Sequence, residues 1–436
     1  MPIRNSMKKK LLSGKKSGCL ATRMTGQAKA LSPSAAWLTL GAMSFLACDA
    51  TAVGFRLPNQ DPEGIARGNA FAATADNPSA IYYNPAGITQ LEGQNLSAGL
   101  YLISAGVKYQ GPGNASAASK TDFQPVPQFY YVNAPKDSPF ALGLGVYVPY
   151  GLGMDYGNSS VFRNVAQNGH LLYATVNPVA AWKITPELSI AAGPTINYSK
   201  VDFNQGLGLP GFSQFHFVGD DYAFGFNAGA RYQPIKQLAF GVNYRYQTDM
   251  NYQGHSSAYV PGAFNFASTT SASIHFPQFV AGGISYRPTE NWNIEFDLDW
   301  TDWNSVKQAT FNGTVFGTPI PNLAFNYRSS FMYEFGVTRQ LPKGYFVSAG
   351  YIYSENSSPD ANFNPLIPDS NLHLFSVGTG HKGRRFGWAV SYTVAYQPNR
   401  TVSGSSFNNP LTPGTTVDGN YRVLNNAINA SVSLKF

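Results

Sequence analysis

The sequence predicts an all-β transmembrane protein: a 14-stranded antiparallel outer-membrane β-barrel with an N-terminal segment plugging its lumen. Three observations carry this reading. Strand-length runs with one oily and one polar face recur from residue 95 to the last residue. The connections between them alternate short and long, and a compact apolar segment precedes the first run.

The alternation is clearest at Trp292–Thr301. Trp292, Ile294, Phe296, Leu298 and Trp300 share one face; Asn293, Glu295, Asp297, Asp299 and Thr301 share the other, because successive strand side chains point to opposite sides. Leu188–Ser199, Leu238–Gln247, Phe386–Gln397 and Ile428–Phe436 repeat the pattern. Repetition of a weak period-2 signal is the mark of a barrel wall between lipid and water.

Fourteen strands can be placed, near 95–109, 121–134, 140–150, 171–184, 188–200, 220–232, 238–247, 272–286, 292–301, 327–338, 345–354, 372–382, 385–397 and 427–436. The connections at 135–139, 185–187, 233–237, 287–291, 339–344 and 383–384 are short and turn-like. Those at 110–120, 151–170, 201–219, 248–271, 302–326, 355–371 and 398–426 are long and rich in Gly, Asn, Ser and Pro. Strict alternation puts every long loop at one rim, the asymmetry of outer-membrane barrels. A soluble β-sandwich gives no reason for it.

Residues 1–52 read as a signal peptide with an extended n-region. Ala35–Ala47 is apolar but too short to span, and Ala50-Thr51-Ala52 is a small-x-small cleavage site. Met7 and Met24 are alternative starts, and a lipoprotein box at Phe45–Cys48 is the rival reading, which Phe45 and Leu46 suit poorly. The leader holds eight basic residues and one acid, so the net charge of +7 falls to zero without it and implies no nucleic-acid partner. Both cysteines, Cys19 and Cys48, lie there too, which excludes disulfides from the mature chain. No other stretch is apolar enough for a membrane-spanning helix.

Residues 53–94 have no period-2 run yet carry Phe55, Ile65, Phe71, Ile81, Tyr82, Tyr83 and Ile88 for packing. They read as a plug ahead of the barrel (95–436), with a periplasmic extension as the alternative. Gly206-x-Gly208-x-x-Gly211 fits a nucleotide-loop pattern but has no helix behind it, so it reads as loop glycine. The six histidines lack ligand spacing, so no metal or cofactor is expected, and the absence of a G-x-S-x-G removes one esterase signature. Glu295, Asp297 and Asp299 form an inward acidic row that needs basic partners, for which Arg245 is the candidate; Arg245 could instead hold a substrate carboxylate. Trp292, Trp300, Trp303, Trp388, Tyr244, Tyr246, Tyr396 and Phe436 are expected mostly at the interface or facing lipid.

ATADNPSAIYYNPAGITQLEG, centred on Asn84-Pro85-Ala86, resembles the hatch of the FadL/TodX outer-membrane transporters of long-chain fatty acids and hydrocarbons. Further matches follow in order. Gly143-x-Gly145-Val146 leads to Pro149–Leu152, Pro277-Gln278-Phe279 to Arg287-Pro288-Thr289, Asp299-Trp300-Thr301-Asp302-Trp303 follows, and Ile367-Pro368-Asp369 precedes a strand. The resemblance spans 53–436 and implies a 14-stranded barrel with a hatch at 53–94. It implies passive capture of a hydrophobic ligand, movement of a tail at Val53-Gly54-Phe55, a hatch turn at Asn84-Pro85-Ala86, and lateral exit at a third-strand kink near Gly145, Pro149, Tyr150, Gly151 and Leu152. Gly143, Gly145, Pro149, Gly151 and Gly153 weaken strand pairing and so support a kink, although Pro149 could simply end the strand. The expected protein is a monomer, not an enzyme. Its partners are a long-chain fatty acid or hydrocarbon, outer-membrane lipid and lipopolysaccharide, and the barrel-assembly machinery, which Phe436 suits. A non-specific aqueous porin and a structural or adhesive barrel are the other readings.

Overall fold

The computed structural model describes residues 54–121, 123–209, 211–406 and 416–436, so the expected leader and Val53 lie outside the described residues. Fourteen staves form the wall: β1 (Gly93–Gln110), β2 (Phe123–Ala134), β3 (Phe140–Asp155), β4 (Asn168–Lys183), β5 (Leu188–Gly206) and β6 (Gln214–Ile235). β7 is Leu238–Arg245 continued by Thr248–Val260, and β8 is Phe264–Phe276 continued by Phe279–Thr289. β9 (Trp292–Thr301), β10 (Ser330–Gln340), β11 (Tyr345–Ser354), β12 (Leu372–Lys382), β13 (Phe386–Val402) and β14 (Gly419–Lys435) complete the ring. β14 pairs with β1 from Asn95↔Lys435 to Gln110↔Asn420, which closes the barrel.

The side-chain alternation follows the expected faces. On β14, Ile428 is 48% exposed and Asn429 fully buried, and on β9 Glu295, Asp297 and Asp299 are buried while Trp292, Ile294 and Leu298 are exposed. The staves run past their expected ends through 151–155, 201–206, 214–219, 398–402 and 419–426, and two expectations fail more broadly. Residues 248–271, expected as a loop, form most of a long hairpin between β7 and β8, paired from Phe264↔Val260 to Phe276↔Thr248. Burial still alternates on the β7 side, but with Met250, Tyr252 and Ala258 inward and Asp249, Asn251 and Gln253 outward, so the oily-out, polar-in pattern of the lipid band is reversed there. Trp303 does not face lipid. β9 ends at Thr301, and Asp302 (φ −79°, ψ 59°) turns the chain into a short 3₁₀ helix that carries the Trp303 ring into full burial.

The segment ahead of the barrel contains α1 (Pro62–Ala66), α2 (Ala80–Tyr83) and a 3₁₀ turn at Pro85–Gln90. Asp61 starts α1 by accepting from the amides of Glu63 (3.0 Å) and Gly64 (3.3 Å), with Pro62 pre-set for the first helical position. Inward groups from all round the ring bond to this segment. Tyr101 of β1 accepts from Asn59 (2.7 Å), Tyr130 of β2 donates to Gln60 O (3.0 Å), and Arg231 of β6 to Ala73 O (2.7 Å). Asn243 of β7 donates to Tyr82 O (3.1 Å), and Ser376 of β12 to Ala66 O (3.3 Å). Wall glycines make the room: a Cβ at Gly241 would lie 1.9 Å from Ala72 O, and one at Gly350 2.0 Å from Gly68 N.

Gly241→Val should therefore expel the segment while sparing the wall. Overpacking of this kind costs about 1–3 kcal/mol. Limited proteolysis should cut the variant within residues 54–90, whereas its heat-modifiable gel mobility should match that of the unaltered barrel.

Candidate functional site

Two cavities and one break in the wall make up the site. The inner pocket has an empty volume of about 710 Å³, lined by aromatic and aliphatic groups that include Phe55, Leu152, Phe203, Phe217, Phe311 and Leu366. The outer groove, about 1660 Å³, lies among the residues that follow β5 and β9. Phe203, Phe311 and Leu323 line both cavities, so one apolar surface runs from the outer rim into the lumen. Linings of this kind suit an apolar ligand.

The break lies at β3. Along β4, Tyr147 pairs with Thr175 and Tyr150 with Tyr173, so three steps on β3 face two on β4. One residue is extra, which makes a bulge at Val148–Pro149. On its other edge β3 pairs with β2 only from Leu142↔Asn133 to Val146↔Phe129, although β2 runs on to Phe123. Beyond Val146 the partner of β3 is instead the start of the described chain: Leu57 N donates to Pro149 O (2.8 Å) and Gly151 N to Phe55 O (2.9 Å). A sequence signal for this opening was available and unread. Pro125 and Pro127 of β2, which carry no N–H, lie where β3 no longer runs in register beside it.

The run that fills the break also walls the inner pocket. Phe55 lines it, packed edge-on to Trp303 (4.9 Å) and Phe276 (5.4 Å) and tilted against Tyr150 (6.0 Å). Gly54 has φ +58°, and a Cβ there would lie 2.7 Å from the Trp303 ring, so only glycine fits. Arg56 anchors the run. Its two Nη atoms donate to Asp299 Oδ1 and Oδ2 at 2.7 Å each, Nη1 also to Thr301 Oγ1 (2.7 Å), and the guanidinium lies 3.6 Å above the Phe279 ring.

The rest of the acidic row binds backbone. Asp297 Oδ2 accepts from Phe71 N (2.8 Å) and Ala72 N (2.7 Å); Glu295 Oε1 accepts from Ala73 N (2.8 Å) and Thr74 N (3.0 Å), with Arg67 4.0 Å away. Arg245 is therefore not the partner of the row. It is buried over the rings of Tyr147 (5.1 Å), Tyr82 (5.4 Å) and Phe279 (5.8 Å), and it lines neither apolar cavity. Asn84 is the joint between segment and wall. Its Oδ1 caps Ala86 N (3.1 Å), and its Nδ2 donates to Ala72 O (2.7 Å) and to Ala230 O of β6 (2.9 Å). Pro85 then opens the 3₁₀ turn and Ala86 is buried in it.

Sequence comparison agrees with this architecture. The model of the family described as outer membrane protein transport protein (OMPP1/FadL/TodX) matches residues 43–436. The chain belongs to that family. It is similar to the long-chain fatty acid transport protein of Escherichia coli strain K12, at 21% identity over 409 residues, covering 83% of this chain and 91% of that protein. It is also similar to the 47 kDa outer membrane protein of Pasteurella multocida, at 23% over 375 residues, covering 79% of this chain and 87% of that protein. Among solved structures, a Pseudomonas aeruginosa FadL homologue gives a TM-score of 0.77 at 18% identity, over 88% of this chain and 100% of that one. The Pseudomonas putida toluene transporter TodX gives 0.66 at 18% identity, over 88% of this chain and 99% of that one. Likeness at such identity shows the fold. This FadL/TodX-family protein is thus an outer-membrane barrel, and its family is one of transport proteins, not enzymes.

The anchor makes a clear prediction. Asp299→Ala leaves the Arg56 guanidinium buried without its counter-charge and should cost about 3–5 kcal/mol in urea unfolding followed by tryptophan fluorescence. Arg56→Met combined with Asp299→Leu should recover most of that loss, because no unpaired charge remains.

Proposed function

We propose that this FadL/TodX-family protein carries long-chain fatty acids or hydrocarbons inward across the outer membrane without an energy source. A ligand enters the outer groove, passes into the inner pocket, displaces the start of the 53–94 hatch, and leaves sideways through the break at β3. One observation carries the reading: Phe55, which walls the inner pocket, is also the residue whose carbonyl completes the edge of β3 at Gly151. Filling the pocket and opening the wall therefore act on a single residue. The printed names of the relatives, fatty acid transport and toluene transport, support the substrate class.

Magnitudes indicate which part moves. Burial of Phe55 is worth about 1.5–3 kcal/mol and its ladder bond about 1 kcal/mol. Parting Arg56 from Asp299 would cost about 3–5 kcal/mol. A ligand gains about 0.8 kcal/mol per buried methylene, so half a dozen methylenes outweigh Phe55. The residues ahead of Arg56 swing, and Arg56 stays as the hinge. Hatch contacts from all round the ring argue against an open aqueous porin, since a filled lumen conducts poorly.

Proteoliposomes holding the protein should take up labelled palmitate or toluene while showing little ion conductance; large conductance without uptake would overturn the reading. Deletion of Pro149 restores register between β3 and β4. It should reduce uptake at least about tenfold while ligand binding to the detergent-solubilised protein is retained. Unchanged uptake by that variant would remove the lateral route.

A further inference from the structure

Among the described residues, neither apolar cavity is lined by an arginine or lysine. The ionisable groups of the inner pocket are His170 and Asp202, and Asp202 lies 3.0 Å from His216. A carboxylate drawn into that pocket would shed water and meet no cation. An aliphatic tail would meet no such penalty. The head and tail of an anionic amphiphile therefore need different places.

Arg163, between β3 and β4, stands where a head group could rest. It lines a surface cavity of about 590 Å³ that shares Leu209 with the outer groove. A Cβ at Gly206, itself a groove residue, would lie 2.4 Å from Arg163 Nη1, so the missing side chain lets the guanidinium reach the groove wall. The hydrogen bonds of Arg163 go to neutral acceptors, Ser213 O and Asn164 Oδ1 (3.3 Å), and its Nε makes none. Phe212, 65% exposed, lies 5.5 Å from the guanidinium and offers an apolar surface beside the charge. Two other arginines differ in being carboxylate-paired, Arg56 with Asp299 and Arg400 with Asp360 at 2.6 Å, while Arg245 is buried over aromatic rings and lines neither cavity.

We propose that Arg163 reads the head group, holding the carboxylate of a long-chain anionic amphiphile at the groove rim while its tail lies along the groove into the inner pocket. The proposal rests on the transport reading above and adds to it a residue that separates acids from uncharged molecules. A guanidinium suits the task because it stays ionised and meets a carboxylate with paired donors. The shared wall of Phe203, Phe311 and Leu323 gives the tail a continuous apolar path.

The test compares palmitate with 1-hexadecanol, equal in chain length and differing in charge, at about pH 8 where the acid is ionised. Full-length protein in proteoliposomes is assayed for binding and uptake of both. Arg163→Gln should lower palmitate capture about tenfold, the loss of one charge-assisted pair, and leave hexadecanol unchanged. Arg163→Lys should keep most of the palmitate signal, and heat-modifiable mobility shows that both variants hold folded barrels. An equal fall for both ligands, or no change for either, would overturn the role of Arg163 while leaving transport intact. Failure of the unaltered protein to take up either compound would instead overturn the transport reading itself.

Discussion

A strand in a membrane wall must hydrogen-bond along both edges, because lipid offers nothing to an orphaned amide. β3 meets that demand for part of its length with a segment that is no stave of the barrel. The bulge at Val148–Pro149 turns β3 away from β2, and the backbone of Phe55–Leu57 takes the vacated edge. The Phe55 wall of the inner pocket and the proposed exit both depend on this substitution. The wall there is completed by two backbone bonds, Leu57 N to Pro149 O and Gly151 N to Phe55 O, rather than by a neighbouring stave.

The acidic row of β9 gives the surrogate its footing. Buried carboxylates are costly unless hydrogen-bonded, and here all three are: Asp299 to Arg56, Asp297 and Glu295 to four consecutive backbone amides. The row binds the segment ahead of the barrel. Chemistry in the lumen is thereby divided, with charge and polar backbone around that segment and, among the described residues, an aromatic lining without arginine or lysine beyond it. Arg245, stacked on Tyr82, Tyr147 and Phe279, belongs to the first region and not to that lining.

Much of this was legible in the residues. A wall between lipid and lumen imposes period 2 on every stave, so β5, β9, β13 and β14 could be read with their faces assigned. The signal failed where the physical contrast reversed. Beyond the lipid band the β7–β8 hairpin has polar residues outward and Met250, Tyr252 and Phe276 inward, the reverse of the lipid-facing pattern, and its strands read as loop. Trp303 was misplaced because the pattern of β9 was carried two residues past its end, where Asp302 turns the chain inward. Asn84-Pro85-Ala86 was visible as a motif, but its job, tying Ala72 to Ala230 of β6, required both partners to be seen.

Local chemistry thus determined the class, the strand count and the faces of the staves that cross the lipid band, because hydropathy alternation and turn composition are properties of neighbours in sequence. Pairings across the lumen were decided only by the tertiary structure. Arg56 and Asp299 lie 243 positions apart, and no periodicity links them. The same holds for Phe55 against Gly151 and for the aromatic lining that β5, β6 and the long loops supply jointly. Which inward residues meet depends on the tilt and register of the staves around a closed ring, and those are fixed by the whole barrel at once.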